Sequence, residues 1–179
     1  MAGKKTPNGG SRSEQEGTPE PRRGPMREFS RSLPMSLLRA REAVMRQFRP
    51  SLRNHGLTEQ QWRILRALAA VDTIEVTELA RMAFLLGPSL SRILRDLEAR
   101  DLIERRAAKA DLRRGEVSIS PKGLKLIEAV APTSEAIYAE ITSRYGARKL
   151  GELQDMLGEL ERSLAAMEVA DEEAGEADE

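Results

Sequence analysis

The chain has 179 residues, 40% of them hydrophobic but only 3% aromatic, with 29 basic and 29 acidic side chains. That length suits one domain of ordinary size whose core is Leu, Ile, Val, Met and Ala. The absence of cysteine excludes disulfides, thiolate metal sites and cysteine-based redox sensing, and no apolar run approaches the ~18 residues a membrane span needs. The start, MAGKKTPNGG, has no apolar stretch behind its lysines, so the expected location is cytoplasmic with no signal peptide. The zero net charge hides a distribution. Residues 1–26 carry five basic and three acidic side chains, and residues 168–179 carry seven acidic and no basic ones. Residues 27–167 then hold 24 basic against 19 acidic, and 81–125 alone hold 11 against 6. A local basic surplus is what phosphate binding requires.

Residues 1–26 are rich in Gly, Pro, Ser and charge and read as a disordered tail. A basic arm reaching DNA is the alternative, but Glu14, Glu16 and Glu20 dilute it. A first helix is expected over 34–54, with Leu37, Leu38, Arg41, Val44, Met45 and Phe48 on one face and a kink or interruption at Pro50. Arg41 on that apolar face needs a carboxylate or a bound anion as partner. The lone histidine, His55, falls in a helix-ending turn and gathers no partners for metal or nucleophilic chemistry. A second helix opens at Thr58, where Thr58 and Gln61 match a capping box. Trp62, Leu65, Leu68 and Ala69 form its inner face, and Glu59 and Arg63 stand at pairing distance i, i+4. Trp62 with Arg66 and Arg41 could wall a pocket for a flat anion; a core tryptophan beside a snorkelling arginine is the alternative.

Asp72 to Glu75 is a short link that could add a third strand beside a hairpin, and Thr77 is expected to cap the helix ELARMAF. After a tight turn comes a further helix with Leu90, Ile93, Leu94 and Leu97 as its apolar stripe, and Pro88 in its first turn. Its opposite face carries Ser89, Arg92, Arg95 and Asp96, a set suited to a DNA major groove. LIERRA and EVSIS then alternate as two short strands, with Leu102, Val117 and Ile119 inward. Their connection, AKADLRRG, holds Lys109, Arg113 and Arg114. A basic hairpin tip directly after a recognition-type helix is the winged-helix arrangement.

Ser120-Pro121 opens a long helix over about 121–145, bent at Pro132 and stopped at Gly146. A last helix, 147–167, places Leu150, Leu153, Leu157, Leu160, Leu164 and Met167 on a heptad seam. Such a seam with no further helix to cover it suggests a second copy of the chain; packing on the chain's own first helix is the alternative. The acidic stretch 168–179 reads as a disordered tail.

These segments together resemble the MarR family of transcriptional regulators, and within it the regulators of homoprotocatechuate and related aromatic-acid degradation operons. The resemblance covers about 33–166 and rests on LLRAREAVMRQFRP (37–50), LTEQQWRIL (57–65), ELA (78–80), PSLSRIL (88–94), LE..DLI.R (97–105) and DLRR....IS..G (111–123). Asp101 departs from the pattern, since a glycine is usual there. The resemblance implies a mainly α fold with a small β-hairpin wing: a DNA-binding lobe at about 57–121 between dimerisation helices at 34–54 and 121–167. It implies a homodimer on a palindromic operator, with Ser89, Ser91, Arg92 and Arg95 facing the major groove, Arg113 the minor groove, and Asp111 positioning the wing arginines, Arg114 included. It also implies a small aromatic carboxylate or thioester as effector, for which Arg39, Arg41, Met45, Trp62 and Arg66 are the candidate contacts. No cofactor or metal and no enzymatic activity are expected. The rival reading is a winged-helix protein-interaction module without sequence-specific DNA binding, and a methionine-based oxidation sensor is a further alternative to seven methionines acting as core.

Overall fold

The structure is a computed structural model that describes residues 28–107 and 115–176, with side chains through Ala166. The chain divides into two units after Arg39. The first contributes a 3-10 turn, Phe29–Arg31, and the opening turns of α1 (Leu33–Asn54). The second holds the remainder of α1, then α2 (Glu59–Leu68), β1 (Ile74–Glu75), α3 (Val76–Met82), α4 (Gly87–Ala99), β2 (Ile103–Ala107), β3 (Gly115–Ile119), α5 (Pro121–Tyr145) and α6 (Ala147–Glu176). Three antiparallel strands in the order β1-β3-β2 accompany the helices, so the mainly α reading with a small wing holds.

Local sequence explains most element ends. Thr58 caps α2: its Oγ1 accepts the Gln61 N–H at 3.2 Å, and Gln61 Oε1 accepts the Thr58 N–H at 2.8 Å. Ile64, Leu65 and Leu68 of α2 are fully buried. Ala69 lies just past the helix and is exposed, so the inner face is shifted toward Ile64 relative to the sequence reading. Leu79 of α3 and Leu90, Leu94 and Leu97 of α4 complete the floor of the same core. Thr77 does not cap α3. The chain passes straight from β1 into the helix, so α3 begins at Val76 and the cap position falls on Glu75. Pro50 lies inside α1 without ending it; it is exposed, where water can take up the carbonyl that its missing N–H leaves unbonded. Pro132 likewise lies within an uninterrupted α5.

Three helices close with the same backbone motif, in which a left-handed residue turns the chain and two N–H groups bond back to the last turn. After α1, Gly56 has φ +65°, and Gly56 N and Leu57 N bond Arg53 O and Leu52 O at 2.9 Å each. After α4, Asp101 has φ +59°, and Asp101 N and Leu102 N bond Glu98 O and Leu97 O at 2.9 Å each. Aspartate tolerates this region better than most residues, which is how the fold accommodates it where glycine is usual. After α3, the left-handed residue is Phe84, with φ +50°. An aromatic residue there costs on the order of 1 kcal/mol relative to glycine.

The wing hairpin pairs Ile103 with Ile119, Arg105 with Val117 and Ala107 with Gly115, while Ile74 of β1 faces Val117. Leu102, Ile103 and Val117 are buried and Ile119 packs against them. Ser120 locks the wing to α5: its Oγ accepts the Gly123 N–H at 3.0 Å and donates to Asp101 O at 2.6 Å. At the far end α5 stops at Gly146, φ +95°. The backbone of α6 continues to Glu176, beyond the expected end at 167, because EVADEEAGE is rich in the strong helix formers Ala and Glu.

Candidate DNA-reading surface and effector cavity

On α4 the buried stripe forces the polar residues outward, and Ser89, Ser91, Arg92 and Arg95 are all exposed. Arg95 Nε approaches Ser91 O at 3.4 Å. Among the described residues neither Arg92 nor Arg95 meets a carboxylate within ion-pair distance. The two acids on the same helix are engaged elsewhere: Asp96 Oδ2 accepts from Gln61 Nε2 at 2.6 Å and from Arg100 Nη1 at 3.4 Å, and Glu98 meets Arg105. Among the described residues the helix therefore presents two cations without a carboxylate partner, and two hydroxyls. Lys109, Asp111, Arg113 and Arg114 lie outside the described residues; they belong to the connection between the paired ends Ala107 and Gly115. The basic strand residues are balanced locally, Arg106 by Glu104 at 2.6 Å and Arg105 by Glu98 at 3.5 Å.

A second feature lies between α1, α2, the α3–α4 turn and α5. A cavity of about 580 Å³ has Phe48, Trp62, Phe84 and Tyr138 as aromatic walls, with Val44 and Met45 beside them. Arg41, Arg63 and Arg66 supply three guanidinium groups and Glu59 one carboxylate. Phe48 and Tyr138 stack obliquely, with ring centroids 5.0 Å apart at 58°. The Arg66 guanidinium lies 5.9 Å over the Trp62 ring, a cation–π arrangement, and meets no carboxylate among the described residues. Four of the five residues selected for an effector from the sequence, Arg41, Met45, Trp62 and Arg66, thus come together. The fifth, Arg39, is exposed on α1 and is not among the lining residues.

Arg41 is exposed rather than buried, and its partners are carboxylates. It bonds Glu42 Oε1 at 2.7 Å and Glu59 Oε2 at 2.6 Å; Arg49 Nη2 bonds Glu42 Oε2 at 2.5 Å, and Arg49 Nε bonds Glu59 Oε1. Two arginines and two glutamates form a closed ring across α1 and α2. Burial pushes the Glu59 carboxyl up, but hydrogen bonds from Arg49 and Arg41 outweigh it and hold its pKa below the ordinary value. Glu42 and Glu59 raise the Arg49 guanidinium above its already high value. The Glu59–Arg63 pair expected from spacing does not form. Glu59 turns to α1 instead, and Arg63 Nη1 donates to Ala83 O at 2.8 Å.

Phe84 and Tyr138 were not singled out by the sequence, and Glu59 and Arg63 were read as a pair on α2 rather than as cavity residues. Phe84 and Tyr138 come from segments distant in the chain, and only the fold brings them to the cavity. The signal for Arg63 was its position one residue from Trp62, which the pairing with Glu59 seemed to explain.

The arrangement as a whole, a helix-turn-helix followed by a hairpin that β1 completes to a three-stranded sheet, defines a winged helix, and the chain also holds an aromatic, guanidinium-rich cavity. A model of the MarR family matches residues 55–114. The HTH-type transcriptional regulator FarR of Neisseria gonorrhoeae is 40% identical over 129 residues, 72% of this chain and 88% of that one. The homoprotocatechuate degradative operon repressor of Escherichia coli is 38% identical over 128 residues, 72% of this chain and 86% of that one. The crystal structure of NadR in complex with 4-hydroxyphenylacetate is similar with a TM-score of 0.67 and 38% identity, over 76% of this chain and 97% of that one. The chain belongs to the MarR family of transcriptional regulators, and it is a regulator rather than an enzyme.

Proposed function

We propose that the chain is a cytoplasmic homodimeric repressor of an aromatic-acid degradation operon, released from its operator when a small aromatic carboxylate or its thioester fills the cavity described above. The observation that carries this reading is the cavity's composition: four aromatic walls and three guanidinium groups against one carboxylate, within a volume typical of small-molecule sites. The walls suit a flat ring and the surplus charge suits an anion. Because Glu42 and Glu59 already occupy Arg41, the stronger anchor for a ligand carboxylate is Arg66, with Arg41 shared. The relatives support the same class, since one is named for repression of a homoprotocatechuate degradative operon and one is seen with 4-hydroxyphenylacetate.

The second copy covers apolar surface that a single chain leaves open, including Met156, Leu157 and Leu164 of α6. Two recognition helices then address half-sites about 34 Å apart, and their separation sets the affinity. In this reading Ser89, Ser91, Arg92 and Arg95 read the major groove and Arg113 the minor groove, and Asp111 holds the wing arginines, Arg114 included, by charge. The test is binding to a duplex from the chain's own upstream region, read by fluorescence anisotropy at fixed salt with and without aromatic acids. Binding that the acid reverses in the wild type, and reverses much less in Arg66→Ala, supports the reading. Binding indifferent to every aromatic acid, or equal reversal in Arg66→Ala, overturns the cavity assignment.

A further inference from the structure

Among the described residues four helix ends close at a positive-φ residue; three use residues suited to it, Gly56, Asp101 and Gly146, and the fourth uses Phe84. A phenylalanine there recovers little through burial, because the residue is 79% exposed. Its ring instead forms a wall of the cavity that holds Trp62 and Arg66. The residue before it is tied to the same cavity, since Arg63 Nη1 donates to Ala83 O at 2.8 Å. Gly87, the first residue of α4, follows three positions after Phe84. One short turn therefore has cavity residues holding it on one side and the DNA-reading helix beginning on the other.

We propose that Arg63 and Phe84 are the positioning residues through which occupation of the cavity is passed to α4. This rests on the cavity being the effector site. An aromatic anion in the cavity offers the Arg63 guanidinium a charged acceptor in place of the neutral Ala83 carbonyl, and charge-assisted bonds are the stronger. It also gives the exposed Phe84 ring a surface to pack on. Both changes act on a turn whose backbone is already in a disfavoured region, so its rearrangement meets less resistance than that of the glycine- and aspartate-closed turns. The leverage equals the ligand's difference in affinity between the two arrangements of the turn, and DNA exerts the same leverage back on the cavity.

The experiment measures a coupling ratio: the operator-duplex Kd at saturating acid divided by the Kd without acid. Using the ratio at saturation removes any change in ligand affinity itself. The full-length dimer is tested as wild type, Phe84→Gly, which keeps the positive φ and loses the ring, and Arg63→Gln, which keeps a donor for Ala83 O and loses the charge. The probes are 4-hydroxyphenylacetate, 4-hydroxycinnamate and benzoate, with saturation followed through emission of the only tryptophan, Trp62. A wild-type ratio in the usual allosteric range of roughly 5–150-fold should fall toward one in both variants while the Trp62 titration still saturates. A ratio kept at the wild-type value in either variant overturns the proposal and leaves the effector site standing. If none of the three acids binds the wild type, the effector-site reading falls, and this proposal falls with it.

Discussion

Gly123 offers the sharpest test of how the wing is held. A Cβ built at this buried position lies 2.8 Å from Ile119 Cγ1 and 3.2 Å from the Leu102 carbonyl carbon, and closer still to Leu102 O. The Ile119 side chain can rotate away, but the Leu102 carbonyl is backbone and also accepts the Ser120 N–H at 3.1 Å. Gly123→Ala must therefore push α5 off the segment that joins α4 to β2. Overpacking of this kind costs about 1–3 kcal/mol, and loss of the Ser120–Leu102 bond adds about 1 kcal/mol. The higher helix propensity of alanine returns at most about 1 kcal/mol, and less in a first turn. The net is about 2 kcal/mol of destabilisation, or a Tm lower by roughly 4–8 °C for a chain of this size. A circular-dichroism melt at fixed protein concentration reads it. A Tm equal to or above that of the wild type would show that the wing base is not clamped as described.

Arg92→Ala should weaken operator binding by about 1–3 kcal/mol, and Arg113→Ala should also weaken it; anisotropy at fixed salt with unchanged affinity would remove either residue from the interface. Ser120→Ala removes the α5 cap and leaves Asp101 O without its donor, so urea unfolding should show a loss of about 1–2 kcal/mol. For Glu59, the folded pKa lies below the unfolded one. Its stabilisation is therefore fully present above the ordinary carboxylate value of about 4.3 and is lost as pH falls through the lower folded value. The difference in urea midpoint between wild type and Glu59→Gln should be largest near neutral pH and shrink below pH 4; a gap that stays constant on acidification contradicts the ion-pair ring.

What the sequence revealed follows the reach of the interactions concerned. The α2 cap needs only Thr58 and Gln61, the α4 stripe only Leu90, Leu94 and Leu97, and the α5 start only Ser120 and Pro121; all are local and were readable. Asp101 could be accepted in place of glycine because its left-handed preference is intrinsic. Side-chain partners chosen by tertiary packing were not readable. Glu59 had Arg63 one turn away, a pair worth a few tenths of a kcal/mol, yet it joins Arg41 and Arg49 of α1, which offer it two guanidinium groups at once. Thr77 looked like a cap because hydroxyls favour that position, but the entry from β1 sets where α3 starts. The cavity was half legible. Arg41, Met45, Trp62 and Arg66 lie on two amphipathic helices whose faces can be drawn from spacing, whereas Phe84 and Tyr138 reach it from a turn and from α5, about 40 and 90 residues further along the chain than Arg41 and Phe48.

The most direct test of the account is a single titration. The protein is bound to a duplex from its own upstream region at fixed salt, an aromatic acid is added, and anisotropy and Trp62 emission are followed together. The account predicts that the tryptophan signal saturates and the duplex is released over the same range of acid. Saturation of Trp62 with the duplex still fully bound, across the whole set of acids, would contradict it.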